Sequence, residues 1–161
     1  MNIIAEGDRS ALESLPPRRG LDLLLPDHHR RLEATCRELL AWAYSDDMRE
    51  FAATWRELEA EINDHIAAEE EVILPGYAAH APDDAKRILD DHARIRELLT
   101  PIGVEIELHE ARAARLQRLA DALHAHALFE DATIHPWAQS HLTAVALRAL
   151  YVRIGRWFRG D

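Results

Sequence analysis

The chain has 161 residues, enough for one domain with a buried core. Its 19 basic and 29 acidic residues give a formal charge of −10, which argues against nucleic-acid binding, because that function needs clustered positive charge. The sequence contains no apolar run of about 18 residues, so we expect no membrane-spanning helix. Residues 1–20 lack the apolar region of a signal peptide, and we therefore expect a cytoplasmic protein.

Five helices and no strands are predicted in chain order, which indicates an all-α fold. Residues 1–20 are expected to form a loose amino-terminal arm or a short helix that ends at Pro16, Pro17 and Gly20. The third helix meets Pro101, where a kink or an end is expected. With ends uncertain by about 2–4 residues, the helices are predicted over residues 22–44, from 47 to a stop at Pro75–Gly76, from 83 onward, from 110 to a stop by Pro136, and over 141–158.

Apolar residues recur on the first four helices in alternating steps of three and four, the pattern of helices packed in a bundle. Histidine and glutamate occupy several of these inward positions, where Leu, Ile and Val would be ordinary. The predicted inward residues are Leu25, His29, Leu32, Cys36 and Leu39; Phe51, Trp55, Leu58, Ile62, His65, Glu69 and Val72; Ile88, His92, Ile95 and Leu99; and Leu116, Leu119, Leu123, His126, Glu130 and Thr133.

A short element occurs twice, as His65 to Glu69 and as His126 to Glu130, and a proline lies ten residues after each histidine. Because a helix has about 3.6 residues per turn, the histidine and the glutamate four residues later lie on one face, one turn apart. Each of two helices therefore offers an imidazole and a carboxylate to the interior. This arrangement predicts a metal site in the core of a helix bundle.

A hydrogen-bonded network without metal is the alternative, as is a wider bundle whose histidines reach water. The metal is favoured because burying two unpaired carboxylates would cost several kcal/mol each, and a shared cation removes that cost. Four imidazoles and two carboxylates exceed the four ligands of tetrahedral zinc, and calcium and magnesium prefer oxygen ligands alone. Mixed nitrogen and oxygen ligation suits iron or manganese, and a glutamate can bridge two ions.

Four segments, Asp27–Leu32, His65–Pro75, Asp91–Ile95 and His126–Pro136, together resemble the hemerythrin-like family, the HHE cation-binding domain. The resemblance covers about residues 22–138. It implies an up-down-up-down four-helix bundle with a non-heme centre of two iron ions, bridged by an oxo or hydroxo group and two carboxylates. Manganese or zinc can substitute for iron in such a donor set.

The resemblance divides the chain into an arm over 1–20, a hemerythrin-like bundle over 21–140 and an extra carboxy-terminal amphipathic helix over 141–161. This last helix has an apolar face and a basic face, so it must bury its apolar residues somewhere. We expect it to dock on protein, either its own bundle or a second copy in a homodimer, rather than on a membrane.

The metal ligands implied by the resemblance come from four helices, and two positions stay open. The first histidine is His29 or its neighbour His28; the inward pattern favours His29, and the other is expected to be exposed on the first turn. Asp131 competes with Glu130, because oxygen carriers of the family place an aspartate five residues after the histidine. The favoured set is His29, His65, Glu69, His92, His126 and Glu130.

The chain departs from those oxygen carriers on the third helix, where they place two histidines four residues apart and this chain has only His92. A coordination position should therefore be open on the second iron. Five further histidines are expected at the surface, although His135 could support the site as an outer hydrogen-bond partner. They are His80, His109, His124, His135 and His141.

The predicted function is a di-iron protein that binds or senses a small oxidant, either oxygen, nitric oxide or peroxide. The alternative is a di-iron redox enzyme that acts on these molecules with an electron donor, or a protein of iron homeostasis or iron-centre repair. A diatomic molecule or peroxide is the expected partner, and the chain is expected to be a monomer or a homodimer without nucleic acid.

Overall fold

A computed structural model of the chain describes residues 24–43, 48–108 and 113–158, and every regular element within these ranges is helical. The all-α class is therefore confirmed, while the predicted arm over 1–20 lies outside the described residues. The elements are α1 (Leu24–Trp42), α2 (Met48–Ala68), a π-helical segment (Glu69–Ile73), α3 (Leu74–His80), α4 (Pro82–Glu107), α5 (Ala113–Ala132), α6 (Ile134–His141), α7 (Ala144–Ile154) and a 3-10 turn (Gly155–Phe158).

The four long helices contact one another in a closed cycle, α1 with α2, α2 with α4, α4 with α5, and α5 with α1. Their apolar residues form two buried clusters, one around Trp55 and Leu119 and the other around Ile73 and Ile134. Along each long helix, the inward histidine falls in sequence between residues of these two clusters. The predicted inward residues are buried, except for Val72 and Thr133, which are half-buried.

The π-helical segment after α2 explains the exception at Val72. A π-helix places more residues in each turn than an α-helix, so it shifts the side chains that follow it around the axis. Ile73 is fully buried in place of Val72. The helical path also continues beyond the predicted stop, since α3 begins at Leu74 with Pro75 in its first turn, where proline is tolerated. The predicted helix end at Pro75–Gly76 is therefore wrong.

Helix α4 runs through Pro101 to Glu107, so the helix does not end at this proline. A proline inside a helix costs about 3 kcal/mol, because it removes a hydrogen bond and crowds the preceding turn. Leu99, Ile102 and Ile106 are all buried on the same helix. Their burial on both sides of Pro101 offsets the local cost and keeps the segment helical.

Helix α7 docks on the chain's own bundle, against α2, the π-helical segment and α1. Leu150 and Ile154 are buried in the second apolar cluster. The basic face meets acidic residues of the bundle, because Arg153 pairs with Glu71. Among the described residues, no helix has the length and apolarity needed to cross a membrane.

Ile154→Ala should lower the free energy of unfolding by about 2–5 kcal/mol, because the side chain is fully buried and its loss leaves a cavity. Val152→Ala is the matched control on the same helix, since Val152 is 57 % exposed. Urea unfolding of both variants measures the difference. Equal effects of the two substitutions would mean that α7 does not dock as described.

Candidate metal centre

Five histidines and two glutamates from α1, α2, the π-helical segment, α4, α5 and α6 meet in one buried cluster. None of these side chains is more than 4 % exposed. All six favoured ligands from the sequence are in the cluster, and one residue that was predicted to be at the surface joins them. The members are His29, His65, Glu69, His92, His126, Glu130 and His135.

The two glutamates lie between histidines of different helices. Glu69 places Oε1 3.3 Å from Nε2 of His65 and Oε2 3.3 Å from Nε2 of His92. Glu130 places Oε2 3.3 Å from Nε2 of His29 and Oε1 3.5 Å from Nε2 of His92. Each carboxylate therefore presents its two oxygens to two different groups of imidazoles, which is the arrangement that a bridging carboxylate needs.

The π-helical segment begins at Glu69, directly after the inward face of α2. Such segments occur frequently at functional sites because they change the direction of a few side chains within an otherwise regular helix. Here Glu69 is fully buried in the cluster, while the next residue, Glu70, reaches His92 from the outer side. Glu69 and Glu70 thus contact the two ring nitrogens of His92 from opposite sides.

Carboxylates outside the cluster hold the outer ring nitrogens of the histidines. Nδ1 of His92 lies 3.1 Å from Glu70, whose carboxylate also accepts two hydrogen bonds from Arg96. Nδ1 of His29 lies 3.3 Å from Oδ1 of Asp131. Metal-binding histidines usually give their second nitrogen to such a partner, which fixes the ring and its tautomer. The imidazoles of His92 and His29 are therefore held with Nε2 directed into the cluster.

Glu130 and Asp131, the two candidates for the carboxylate ligand on α5, lie in different positions relative to the cluster. Glu130 is fully buried and its oxygens lie among the inner nitrogens, whereas the Asp131 side chain is 38 % exposed and contacts outer nitrogens. Glu130 thus lies where a ligand would be, and Asp131 lies where a supporting residue would be. Metal ligation by either residue stays a prediction.

His28 is fully buried, so the expectation that the second histidine of the pair is exposed is wrong. Helix α1 packs between α2 and α5, and neighbours about 100° apart can both point into the protein. His28 faces α2, with Nδ1 2.8 Å from Nδ1 of His65 and Nε2 2.9 Å from Glu61. His29 also reaches α5, through its contacts with Glu130 and Asp131.

The environment of His28 fixes its protonation. Burial and the neighbouring His65 imidazole lower the pKa of His28 to about 2, so it is neutral at ordinary pH. With one ring proton on Nε2, which lies 2.9 Å from Glu61, His28 can accept at Nδ1 from the Nδ1–H of His65. Glu61 also accepts a hydrogen bond from Arg31 at 2.9 Å. This chain of contacts directs the other nitrogen of His65, Nε2, toward the glutamates.

Several inner atoms of the cluster are buried without a hydrogen-bond partner within the described part of the chain. They are Oε2 of Glu69, Nε2 of His92, Nε2 of His126 and both carboxylate oxygens of Glu130. A buried polar atom without a partner costs about 1–3 kcal/mol, and more when it is charged. A cation among these atoms would satisfy them together, so the donor set fits a metal.

The ionisation of the cluster also fits a bound cation. Burial disfavours the charge of both glutamates, but the surrounding imidazoles outweigh it and hold the pKa values of Glu69 and Glu130 well below the usual range. Burial likewise opposes the charge on His65 and His92, yet the glutamates raise their pKa values to about 9 and about 10. Without metal, protons on the imidazoles compensate the carboxylates; a cation would take their place.

His135 is only 2 % exposed, so its predicted surface position is wrong. Helix α5 ends at Ala132 because Pro136 has no N–H to donate to the carbonyl of that residue. Thr133 takes a non-helical conformation, and α6 begins in a new direction with Ile134 and His135 both buried. Pro136 was the feature of the sequence that could have indicated this change of direction. The surface prediction is confirmed for His80, His124 and His141, while His109 lies outside the described residues.

A small apolar cavity adjoins the cluster and has a volume of about 10 Å³. This is about the space that one water-sized molecule needs. Three histidines form part of its wall, and aliphatic side chains supply most of the remainder. The lining residues are His29, Leu32, Glu33, Ile62, His65, Ile66, Ile95, Leu123, His126 and Ala127.

Fold and site together describe a helical protein whose buried histidines and carboxylates can hold metal cations. The family model of the hemerythrin HHE cation-binding domain matches residues 22–138, and the chain belongs to this family. The resemblance noted in the sequence is thereby confirmed. No curated protein and no solved structure matches the chain.

Proposed function

We propose that the chain is a non-heme di-iron protein that binds or senses a small oxidant, either oxygen, nitric oxide or peroxide. The observation that supports this most is the placement of two buried glutamates whose paired oxygens face different imidazoles. One cation would leave half of these oxygens unused, whereas two cations use all of them. The proposed ligands are His29, His65, Glu69, His92, His126 and Glu130.

The donor atoms favour iron or manganese, and membership of the family supports iron. Imidazole nitrogen together with carboxylate oxygen suits iron and manganese, and the ligands are too many for one tetrahedral zinc. Bound iron would supply reversible one-electron chemistry and affinity for small oxidants. The closed cycle of contacts among the four long helices, together with membership of the family, also supports the up-down-up-down topology of the bundle.

The cavity supports a small ligand rather than a larger substrate. Leu32, Ile62, Ile95 and Leu123 line it and give it an apolar wall beside three of the histidines. At about 10 Å³, the space admits one molecule of about the size of water. A diatomic gas or a peroxide is the kind of ligand closest to this size. The outer carboxylates of Glu70 and Asp131 meanwhile hold the imidazoles in place.

The test combines metal analysis with rapid mixing. Protein from iron-replete cells should hold about two irons per chain, because the ligand set exceeds the needs of one ion. The reduced protein is then mixed with oxygen in a stopped-flow instrument. A spectral change that vacuum reverses supports binding or sensing, while immediate and irreversible oxidation supports the redox enzyme. Protein that takes up no iron when Fe(II) is supplied without air would contradict the proposal.

A further inference from the structure

His135 occupies a position that the six proposed ligands do not explain. Its Nε2 lies 3.1 Å from Oε1 of Glu69 and 3.7 Å from Oε2 of Glu130. These two oxygens are the same ones that face His29 and His65. His135 therefore approaches the same two carboxylate oxygens as His29 and His65.

We propose that His135 is a fifth histidine ligand of the centre, binding through Nε2 the cation held by His29, Glu69 and Glu130. The proposal rests on the di-iron function and assigns one more residue to the same site. Helix α6, which carries this histidine, follows the second His-to-Glu element after the break at Thr133.

The distances among the donors fit a single cation. Two atoms that bind one metal at about 2.1 Å lie no more than about 4.2 Å apart. Nε2 of His29 lies 2.9 Å from Nε2 of His65, and Nε2 of His65 lies 3.3 Å from Glu69 and 3.9 Å from Glu130. The two contacts of His135, at 3.1 and 3.7 Å, fall within the same limit.

The outer side of His135 is also built like that of a ligand. Its Nδ1 lies 2.8 Å from Oδ1 of Asp131, the same oxygen that lies 3.3 Å from Nδ1 of His29. One carboxylate thus holds two imidazoles with their Nε2 atoms toward the same pair of glutamate oxygens. Both ring nitrogens of His135 thus have the surroundings expected of a metal ligand, because Nδ1 contacts a carboxylate and Nε2 lies among the candidate ligand atoms.

The assignment changes how the imidazoles divide between the two cations. The ring centre of His29 lies 4.7 Å from that of His65 and 5.0 Å from that of His135. The rings of His92 and His126 lie 4.9 Å apart, whereas His126 is 5.6 Å from His29. Nε2 of His126 lies 3.1 Å from Oε2 of Glu130, the oxygen that also faces His29 and His135, whereas His92 faces the other oxygens of both glutamates. The open coordination position therefore belongs to the cation of His92.

His135→Gln separates a ligand from a hydrogen-bond donor. The glutamine amide can still donate to Glu69, but its nitrogen does not bind iron. Wild type, His135→Gln and the control His141→Gln are titrated with Fe(II) without air after circular dichroism has verified their folds. His141 lies on the same helix but is exposed. We expect one iron to bind more than about 100-fold more weakly in His135→Gln, beyond the 10- to 100-fold loss typical of an outer partner.

A second variant makes the test independent of the glutamine side chain. His135→Ala opens space for added imidazole, which should restore the second iron and the ferric absorption bands. Imidazole labelled with ¹⁵N should then show the magnetic coupling of a directly bound nitrogen in pulsed EPR of the half-reduced protein. If wild type binds two irons and His135→Gln keeps both with an unchanged spectrum, the fifth ligand is overturned and the di-iron function stands. If wild type binds no iron, both are overturned.

Discussion

Replacing Glu130 with glutamine should reduce the iron content from about two ions per chain to one at most. Glu130 takes part in every group of candidate ligands in the described residues. Glutamine preserves the volume of the side chain but removes the negative charge and one of the two donor oxygens. Each cation would then lose a shared ligand or the charge that compensates it, and iron binding should fail at one position or at both.

Iron analysis and the ferric absorption bands measure this effect. Glu69→Gln should act in the same way, because Glu69 also presents its oxygens to two groups of imidazoles. Glu71→Gln is the matched control, since Glu71 lies two residues further on and is 57 % exposed, paired with Arg153. Full iron content in both Glu130→Gln and Glu69→Gln would show that neither carboxylate bridges two ions.

The inward faces of the long helices could be predicted from the sequence because they follow regular helical geometry. His65 and Glu69 are four residues apart, as are His126 and Glu130, and all four side chains are buried. Apolar residues before and after them repeat the same spacing. Where the helix is regular, spacing alone decides which side chains meet.

The errors lie where the helices depart from that geometry. The π-helical segment buries Ile73 in place of Val72, and the break at Thr133 turns His135 inward. Both departures lie shortly before the proline that comes ten residues after the histidine of each element, Pro75 or Pro136. The sequence predicts a helix end at each proline, but each lies near the start of a further helix. The direction of such a new helix cannot be predicted from the periodicity of the helix before it.

The two restarted helices, α3 and α6, also pack against each other. The Trp137 ring lies against Gly76, so close that a Cβ atom at Gly76 would be 2.9 Å from Cη2 of the ring. Only glycine admits this approach without displacement of the tryptophan. Gly76 therefore allows α6 to pack closely on α3, and α6 is the helix that brings His135 to the cluster.

Removing the metal should destabilise the protein strongly and change how its stability depends on pH. Free metal at 1,000 times its dissociation constant stabilises a fold by about 4 kcal/mol, which is roughly 10 °C in melting temperature for a domain of this size. We therefore expect a chelator to lower the melting temperature by about that amount at pH 7. A metal-free protein with an unchanged melting temperature would show that the site contributes nothing to the fold.

The stability of the two forms should depend differently on pH above about 6.5. Burial opposes charge on His65, His92 and His135, but nearby carboxylates raise their pKa values to about 9, 10 and 9. In the unfolded chain these groups titrate near 6.5. Their stabilisation of the metal-free protein is thus complete below pH 6.5 and is lost as the pH rises through 9 to 10. Metal binding needs unprotonated imidazoles, so the loaded protein gains stability only while the unfolded histidines lose their protons near pH 6.5, and its stability should stay nearly constant above that pH. Thermal melts of both forms between pH 6 and 10 measure the divergence, and parallel curves would mean that these histidines do not exchange protons for metal.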